Sequence, residues 1–343
     1  MNITVLTYLE KEDDPKSYDL VVNQVADALG SLGHDVSILG VHGDVDAFIR
    51  GLERLKPDLV FNLMETFGES HLGQIAVTGL LDLLEVKYTG CGPGEYFLQE
   101  DKSITKKILA FEGISYPDFA VFSIDADIET GGNLRLPFFV KPLRMDASIG
   151  IDGKSLVNTT KEMMQRVAAI HRLNDSALVE EYIDGREFLV SVLGNTRPLA
   201  LPPIEMDFSG MPDGMPRVMD AKAKWDTRSK QYKGTKAIIP DLPDQVRAQL
   251  HKVALNAFRA LRVRDYGRVD MRMAETGEIY VLEVNASCYL EKDSEFARAA
   301  LAAGIEYPQL LQQIVDLAVE RHKSKQKAEG KKPKEEPVEP ARV

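Results

Sequence analysis

Two periods of apolar residues alternate along this chain, and the changes from one to the other mark its elements. Ile3 to Thr7 is a short apolar run, Tyr18 to Leu32 repeats apolar residues at helical spacing before Gly33, and Val36 to Leu39 is apolar again. That pattern predicts strand, helix, strand. Helical spacing returns from Phe48 to Leu55 until Pro57 stops it, Leu59 to Asn62 predicts a third strand, and Gln74 to Leu84 a helix ahead of Val86 to Gly90. Strands separated by helices build a parallel sheet, so residues 1–95 read as an open parallel α/β unit.

The pattern changes from Asp101. Lys102 to Glu112 predicts a helix, and short strands follow at Phe119 to Phe122 and Pro137 to Lys141. A glycine-bearing loop spans Asp146 to Gly153, with a strand at Ser155 to Asn158 and a helix at Lys161 to His171. Strands at Ala177 to Tyr182 and Glu187 to Leu193 flank an Asp-Gly turn, and Pro202 to Gly234, rich in Pro, Gly, Met and charge, reads as a long mobile loop. Asp244 to Leu261 is amphipathic, and Ser294 to Ala303 and Tyr307 to Arg321 predict the closing helices. Beyond His322 the Lys-rich, then Glu/Pro-rich sequence has little to bury and reads as a solvated tail.

Between those helices lies the segment with the densest chemistry. Arg268 to Met273 and Ile279 to Asn285 alternate apolar and polar residues around a Glu-Thr-Gly-Glu turn, which predicts a β-hairpin. Arg268, Asp270 and Arg272 then share one face, and Glu283 and Asn285 share one face of the partner strand. Two carboxylates and an amide that converge, with coordination positions left over, suit Mg²⁺ held jointly with substrate phosphates better than a closed calcium cage.

With 343 residues, 44% of them hydrophobic and 28% charged, the chain has room for two or three domains with real cores. A net charge of -11 argues against nucleic-acid or anionic-membrane binding, where a basic face is expected. Cys91 and Cys288 are isolated thiols, and no long apolar run occurs, so the expectation is a soluble, reduced, cytoplasmic protein.

Tyr88-Thr-Gly90, Asp101-Lys102-Ser103, Phe139-Val-Lys141-Pro142, Ser148-Ile-Gly150, Val179 to Phe188, Tyr266-Gly-Arg268-Val-Asp270 and Leu282-Glu283-Val-Asn285 follow one another in a specific order. That order and spacing resemble the ATP-grasp superfamily, most closely its D-alanine–D-alanine ligase branch, over nearly all of residues 55 to 320. The resemblance implies an α/β (α+β) fold in three domains. An N-terminal open parallel α/β domain (1–95) is joined to two antiparallel-sheet subdomains (96–186 and 187–321) that grip ATP, with a lid loop at 206–236 and a disordered charged tail at 322–343.

It also implies roles. Lys102 and Lys141 resemble the phosphate-binding lysines, and Lys141, ending an apolar strand, needs an anionic partner that ATP would supply. Ser148 and Gly150 belong to the loop folding over the phosphates, Glu180, Glu181 and Ile183 to the segment that binds adenine through backbone groups, and Glu187 accepts from ribose hydroxyls. Asp270, Glu283 and Asn285 match the ligands of Mg²⁺, for which Mn²⁺ can substitute. Arg268 matches the arginine that stabilises the acyl phosphate and the tetrahedral state. Lys222 or Lys224 reaches the phosphates as the lid closes; Lys224 and Ser148 join Arg268 as catalytic groups. The activity implied is ATP-dependent joining of a small carboxylate to an amine, by a homodimer if the analogy extends that far.

Departures cluster on the acceptor side. The family's Gly-Gly-x-Ser-x-Glu start is absent from Thr7 to Asp14, Glu-Gly-Ser-Ser becomes Met145-Asp146-Ala147-Ser148, and the lid tyrosine becomes Trp225. After Asn285 the Thr-x-Pro-Gly-Met turn is replaced by Ala286 to Leu290, placing Tyr289 in the pocket, and the Ser-Leu pair that captures a carboxylate becomes Ser294-Glu295. A glutamate there repels a carboxylate and favours an amine. Glu69 keeps the family's pocket-loop acid. Two alternatives stay open: D-alanyl-D-alanine formation itself, and an ATP-binding regulatory protein that has lost turnover.

Overall fold

In the computed structural model, which describes residues 1–329 apart from 69, 71, 125–128, 132–133, 146–147 and 213–214, the alternating periods resolve into three sheets. The first is parallel, with β1 (Asn2–Tyr8) between β2 (Asp35–Val41) and β3 (Leu59–Asn62). Its helices are α1 (Leu20–Ser31), α2 (Val45–Leu55) and α3 (Gly73–Leu83). Capping sets their starts: Asp19 accepts from Val21 N, and Asp44 accepts from Ala47 N, which begins α2 ahead of the predicted Phe48.

Helix α4 (Pro93–Glu100) was not predicted, although its start carries the signals. Pro93 occupies the first helical turn, and the Glu95 carboxylate accepts from Gly92 N at 2.9 Å. Helix α5 (Lys102–Phe111) follows at once, capped by Asp101, which accepts from Ser103 N and Ile104 N.

The second sheet is antiparallel, in the order β5 (Glu129–Gly131), β4 (Phe119–Phe122), β8 (Ala177–Glu181), β6 (Phe138–Pro142), β7 (Leu156–Val157). Phe138, Val140, Ala177 and Val179 pack under α6 (Thr160–His171). Alternation therefore turns Phe139, Lys141, Leu178 and Glu180 to the other face.

The third sheet runs β12 (Lys236–Ile238), β11 (Ile204–Asp207), β9 (Arg186–Leu193), β13 (Tyr266–Met273), β14 (Ile279–Asn285), with β10 (Leu199–Ala200) against β9. Phe188, Val190, Val269, Met271 and Val281 pack against α9 (Asp244–Ala260), which leaves Glu187, Leu189, Arg268, Asp270 and Arg272 facing the second sheet. The Asp-Gly turn into β9 needs its glycine, because a Cβ at Gly185 would lie 2.1 Å from the Met273 carbonyl oxygen.

Two expectations are corrected. The stretch read as one loop begins on β11 and ends on β12, and carries α7 (Ala221–Trp225) and α8 (Lys230–Gly234) between them. α10 (Glu295–Ala302) is followed by α11 (Tyr307–Glu329), which passes His322, where the tail was expected to start. His322 is tied down: its Nε2 accepts from Tyr88 N at 3.3 Å, and burial pushes the imidazole down to about 4. Among the described residues no helix is long and apolar enough to cross a membrane.

Candidate active site

The polar faces of the second and third sheets enclose a cleft of about 1000 Å³. The hairpin supplies its floor. In register, Arg268 pairs with Asn285 and Asp270 with Glu283, but Met271 then pairs with Val281, so Leu282 is an extra residue on β14. A bulge of this kind breaks the period of two. Its effect is that Leu282 and Glu283, adjacent in sequence, both line the cleft: one apolar surface and one carboxylate side by side.

Arg268 grips Asp270 through two bonds, Nε to Oδ1 at 2.7 Å and Nη2 to Oδ2 at 2.8 Å. Burial works against its charge, but Asp270 outweighs burial and pushes the guanidinium far above its usual range. Asn285 Nδ2 donates to Asp270 Oδ2 at 3.1 Å. Glu283 lies 3.9 Å from Lys102 Nζ; burial opposes its charge, yet Lys102, Lys141, Lys224 and Arg268 together hold its carboxyl below the usual range.

This donor set fits a hard divalent cation. Asp270 and Glu283 are directly opposed across the strands and Asn285 touches Asp270, so three oxygen-bearing groups meet within one patch of sheet, with Lys102, Lys141 and Lys224 close enough to act on Glu283. A cation would take one Asp270 oxygen from Arg268 and the amide oxygen of Asn285.

The lysines expected on phosphates are both buried at the cleft wall. Lys102 donates to the carbonyls of Met145 at 3.0 Å and Leu143 at 3.4 Å. Lys141 already has an anionic partner, Glu180 Oε2 at 2.9 Å, where ATP alone was expected to supply one. The Glu180 side chain is therefore committed to lysines, and not only its backbone matters. Glu187, expected on ribose, is held by Arg272 at 2.8 Å and 3.1 Å, and Arg272 Nη1 also donates to the Ile183 carbonyl at 2.9 Å. These ion pairs join segments far apart in sequence and leave no local signal.

Of the remaining candidates, Ser148, Glu181, Ile183, Lys224, Tyr289, Ser294 and Glu295 line the cleft. Ser148 is in the left-handed region at φ 61 and its hydroxyl donates to Met219 O at 3.0 Å, so the loop leans on the segment between β11 and α7. Gly150 and Lys222 do not line it, and Lys222 is exposed on α7. Ser294 caps α10 and Glu295 stands in its first turn. Tyr289 donates to Asp19 Oδ1 at 2.8 Å, and Gln24 reaches from α1 to Glu291 at 3.0 Å, so the altered turn after Asn285 is fastened to α1 and its cap. Glu69, Asp146 and Ala147 lie outside the described residues. Lys106 and Arg272 were missed as site residues. Lys102 and Lys106, one helical turn apart on α5, were the available signal for the first.

A family model described as "D-ala D-ala ligase C-terminus" matches residues 108–316. The chain belongs to the D-alanine–D-alanine ligase family. A D-alanine–D-alanine ligase of Desulforudis audaxviator is 34% identical over 306 residues, covering 87% of this chain and 92% of that protein. An uncharacterized protein y4sG of Sinorhizobium fredii is 32% identical over 312 residues, 88% of each chain. The crystal structure of the Bacillus anthracis D-alanine–D-alanine ligase complexed with ATP matches with a TM-score of 0.74 at 22% identity, covering 94% of this chain and 99% of that one. The fold is the ATP-grasp fold, and this member of the family is an ATP-dependent C–N ligase.

Proposed function

We propose that the enzyme phosphorylates a small carboxylate, an amino acid, with ATP and joins the resulting acyl phosphate to an amine other than a second D-alanine. The observation that carries the first half is the single cleft in which Arg268, Asp270, Glu283 and Asn285 face Lys102 and Lys141. In this reading the lysines hold phosphates, Asp270, Glu283 and Asn285 hold Mg²⁺, and Leu282 and Ile183 flank the base. Mg²⁺, when bound, neutralises phosphate charge at transfer. Arg268 stands beside these groups, placed to stabilise charge first on the transferring phosphoryl and then on the tetrahedral carbon as the amine attacks and phosphate leaves.

The acceptor half rests on the lining at the other end of the cleft. Glu295, Glu291, Asp293 and Asp19 line the cleft with Tyr289, which bonds to Asp19, and the arginine assigned to substrate, Arg268, is already paired with Asp270. A free carboxylate has poor company among those acids, whereas an ammonium or amine group is favoured. Purified enzyme with Mg·ATP and a matrix of amino acids and amines is expected to release ADP and phosphate only when a carboxylate and an amine are both supplied. Mass spectrometry then names the amide, and chelation of the metal stops turnover. No release with any mixture would sink the ligase reading, and rapid D-alanyl-D-alanine formation from D-alanine alone would sink the acceptor half.

The two lid lysines separate under the same assay. Lys224 lines the cleft and bears on Glu283, while Lys222 points to solvent. Lys224→Ala is expected to reduce kcat/KM for ATP by roughly a hundredfold, as loss of a charge at a closed phosphate site does. Lys222→Ala is expected to stay within about twofold of wild type, as exposed charges do.

A further inference from the structure

Behind the cleft wall lies a buried cation. Lys106 is 1% exposed on α5 and does not line the cleft, whereas Lys141 and Glu180 do. Its Nζ is 2.6 Å from Glu180 Oε1, while Lys141 Nζ is 2.9 Å from Glu180 Oε2. One carboxylate is thus shared between two lysines, one oxygen for each. Phe139 pairs with Glu180 and Lys141 with Leu178, so Glu180 and Lys141 are diagonal neighbours on the same sheet face, and Lys106 reaches Glu180 from α5.

The charges of this row sum to one positive in a nearly dry environment. A lone buried Lys141–Glu180 pair would be neutral, with both carboxylate oxygens free to draw the ammonium into the wall. With Lys106 fixed on one oxygen, Glu180 is held back and neutralised from behind, and Lys141 keeps a net positive field toward the cleft. Burial pulls the Lys106 ammonium down from its usual value against the attraction of Glu180, and the two lysines together keep Glu180 ionised despite its own burial.

We propose that Lys106 is a positioning residue for nucleotide phosphates: it acts through Glu180 to present the Lys141 ammonium to the cleft, and makes no contact with ATP itself. This rests on the assignment of Lys141 to phosphates. The effect is confined to the charged end of the nucleotide, which distinguishes it from a structural lysine, whose loss would loosen the whole cleft wall.

Calorimetric titration with ATP and with adenosine tests it in four proteins: Lys106→Met, Glu180→Gln, the double variant and Lys141→Met. Lys106→Met is expected to weaken ATP about tenfold and adenosine by less than about twofold. Against Glu180→Gln, adding Lys106→Met should change ATP affinity by less than about twofold, because the residue through which Lys106 acts is gone. The double variant leaves no buried unpaired carboxylate, so this comparison survives if Lys106→Met alone does not fold. Equal weakening of ATP and adenosine, or the same loss of ATP affinity in both backgrounds, would overturn the proposal. If Lys141→Met binds ATP as wild type does, the assignment of Lys141 falls, and the role of Lys106 falls with it; if only Lys141→Met weakens ATP, the role of Lys106 alone is wrong.

Discussion

Arg268→Met is expected to lower turnover about a thousandfold while changing ATP affinity by no more than a few fold. Arg268 lines the cleft beside the hairpin carboxylates, and its fork is aligned by Asp270 at 2.7 and 2.8 Å. Its charge is present at any working pH, so the stabilisation it provides is fixed in place before charge develops. Methionine keeps the length and removes the charge. The same change releases Asp270 from Arg268, leaving only the bond from Asn285 on Oδ2, so the Mg²⁺ concentration for half-maximal rate should hold or fall while kcat collapses. That divergence separates loss of transition-state stabilisation from loss of the metal site. Arg268→Lys keeps a point charge without the fork and should recover at most about tenfold. Melting temperatures for both variants control for the loss of the Arg268–Asp270 bonds. If Arg268→Met retained more than about a tenth of wild-type turnover, the assignment would be lost.

How much of this site was legible in the sequence depends on whether a feature is local. The hairpin was: its alternation put Arg268, Asp270, Glu283 and Asn285 on one surface, and the register confirms that convergence. The bulge at Leu282 was not, because a strict period of two turns Leu282 away from the cleft and nothing in Val-Leu-Glu-Val announces the extra residue. α4 should have been read, since Gly92, Pro93 and Glu95 are a start signal in themselves. β11 and β12 were hidden because Ile204 to Asp207 and Lys236 to Ile238 are short and embedded in turn-rich sequence, and only pairing with each other and with β9 makes them strands.

Charges show the limit most clearly. Lys141 was correctly judged to need an anion, yet its partner sits on β8 and shares itself with Lys106 from α5, three segments that meet only in the fold. Glu187 and Arg272 have the same history: each is plain by itself, and strand pairing makes them a buried ion pair. Residue type foretold the need, and topology supplied the answer. The acceptor end follows the same division, since Glu295 in place of an apolar residue was visible at once, whereas the bond from Tyr289 to Asp19 required α1 and the turn after β14 to be brought together.

The largest loss of stability is expected from breaking the buried ion pair of Asp265, which does not line the cleft. Its side chain is fully buried and accepts from four donors: Arg321 Nη2 at 2.7 Å and Nε at 3.0 Å, Gly90 N at 2.9 Å and Asn195 Nδ2 at 3.0 Å. Those donors come from α11, the segment after β3 and the turn after β9, and Asp265 itself immediately precedes β13, so one carboxylate ties those segments and the last helix to the hairpin's first strand. Asp265 also sits at φ 63, where asparagine is tolerated and most residues are strained. Arg321→Met would strand that carboxylate without its cation and is expected to lower unfolding free energy by ~3–5 kcal/mol. Asp265→Asn keeps the shape and the φ, leaves Arg321 unneutralised, and should fall short of that loss. The double variant Asp265→Asn/Arg321→Met removes both charges and is expected to be more stable than Arg321→Met alone, because a neutral amide is far less costly to bury than an unpaired carboxylate. Urea unfolding followed by circular dichroism reads all three. A double variant no more stable than Arg321→Met would mean that packing, and not the buried charge, holds α11 in place.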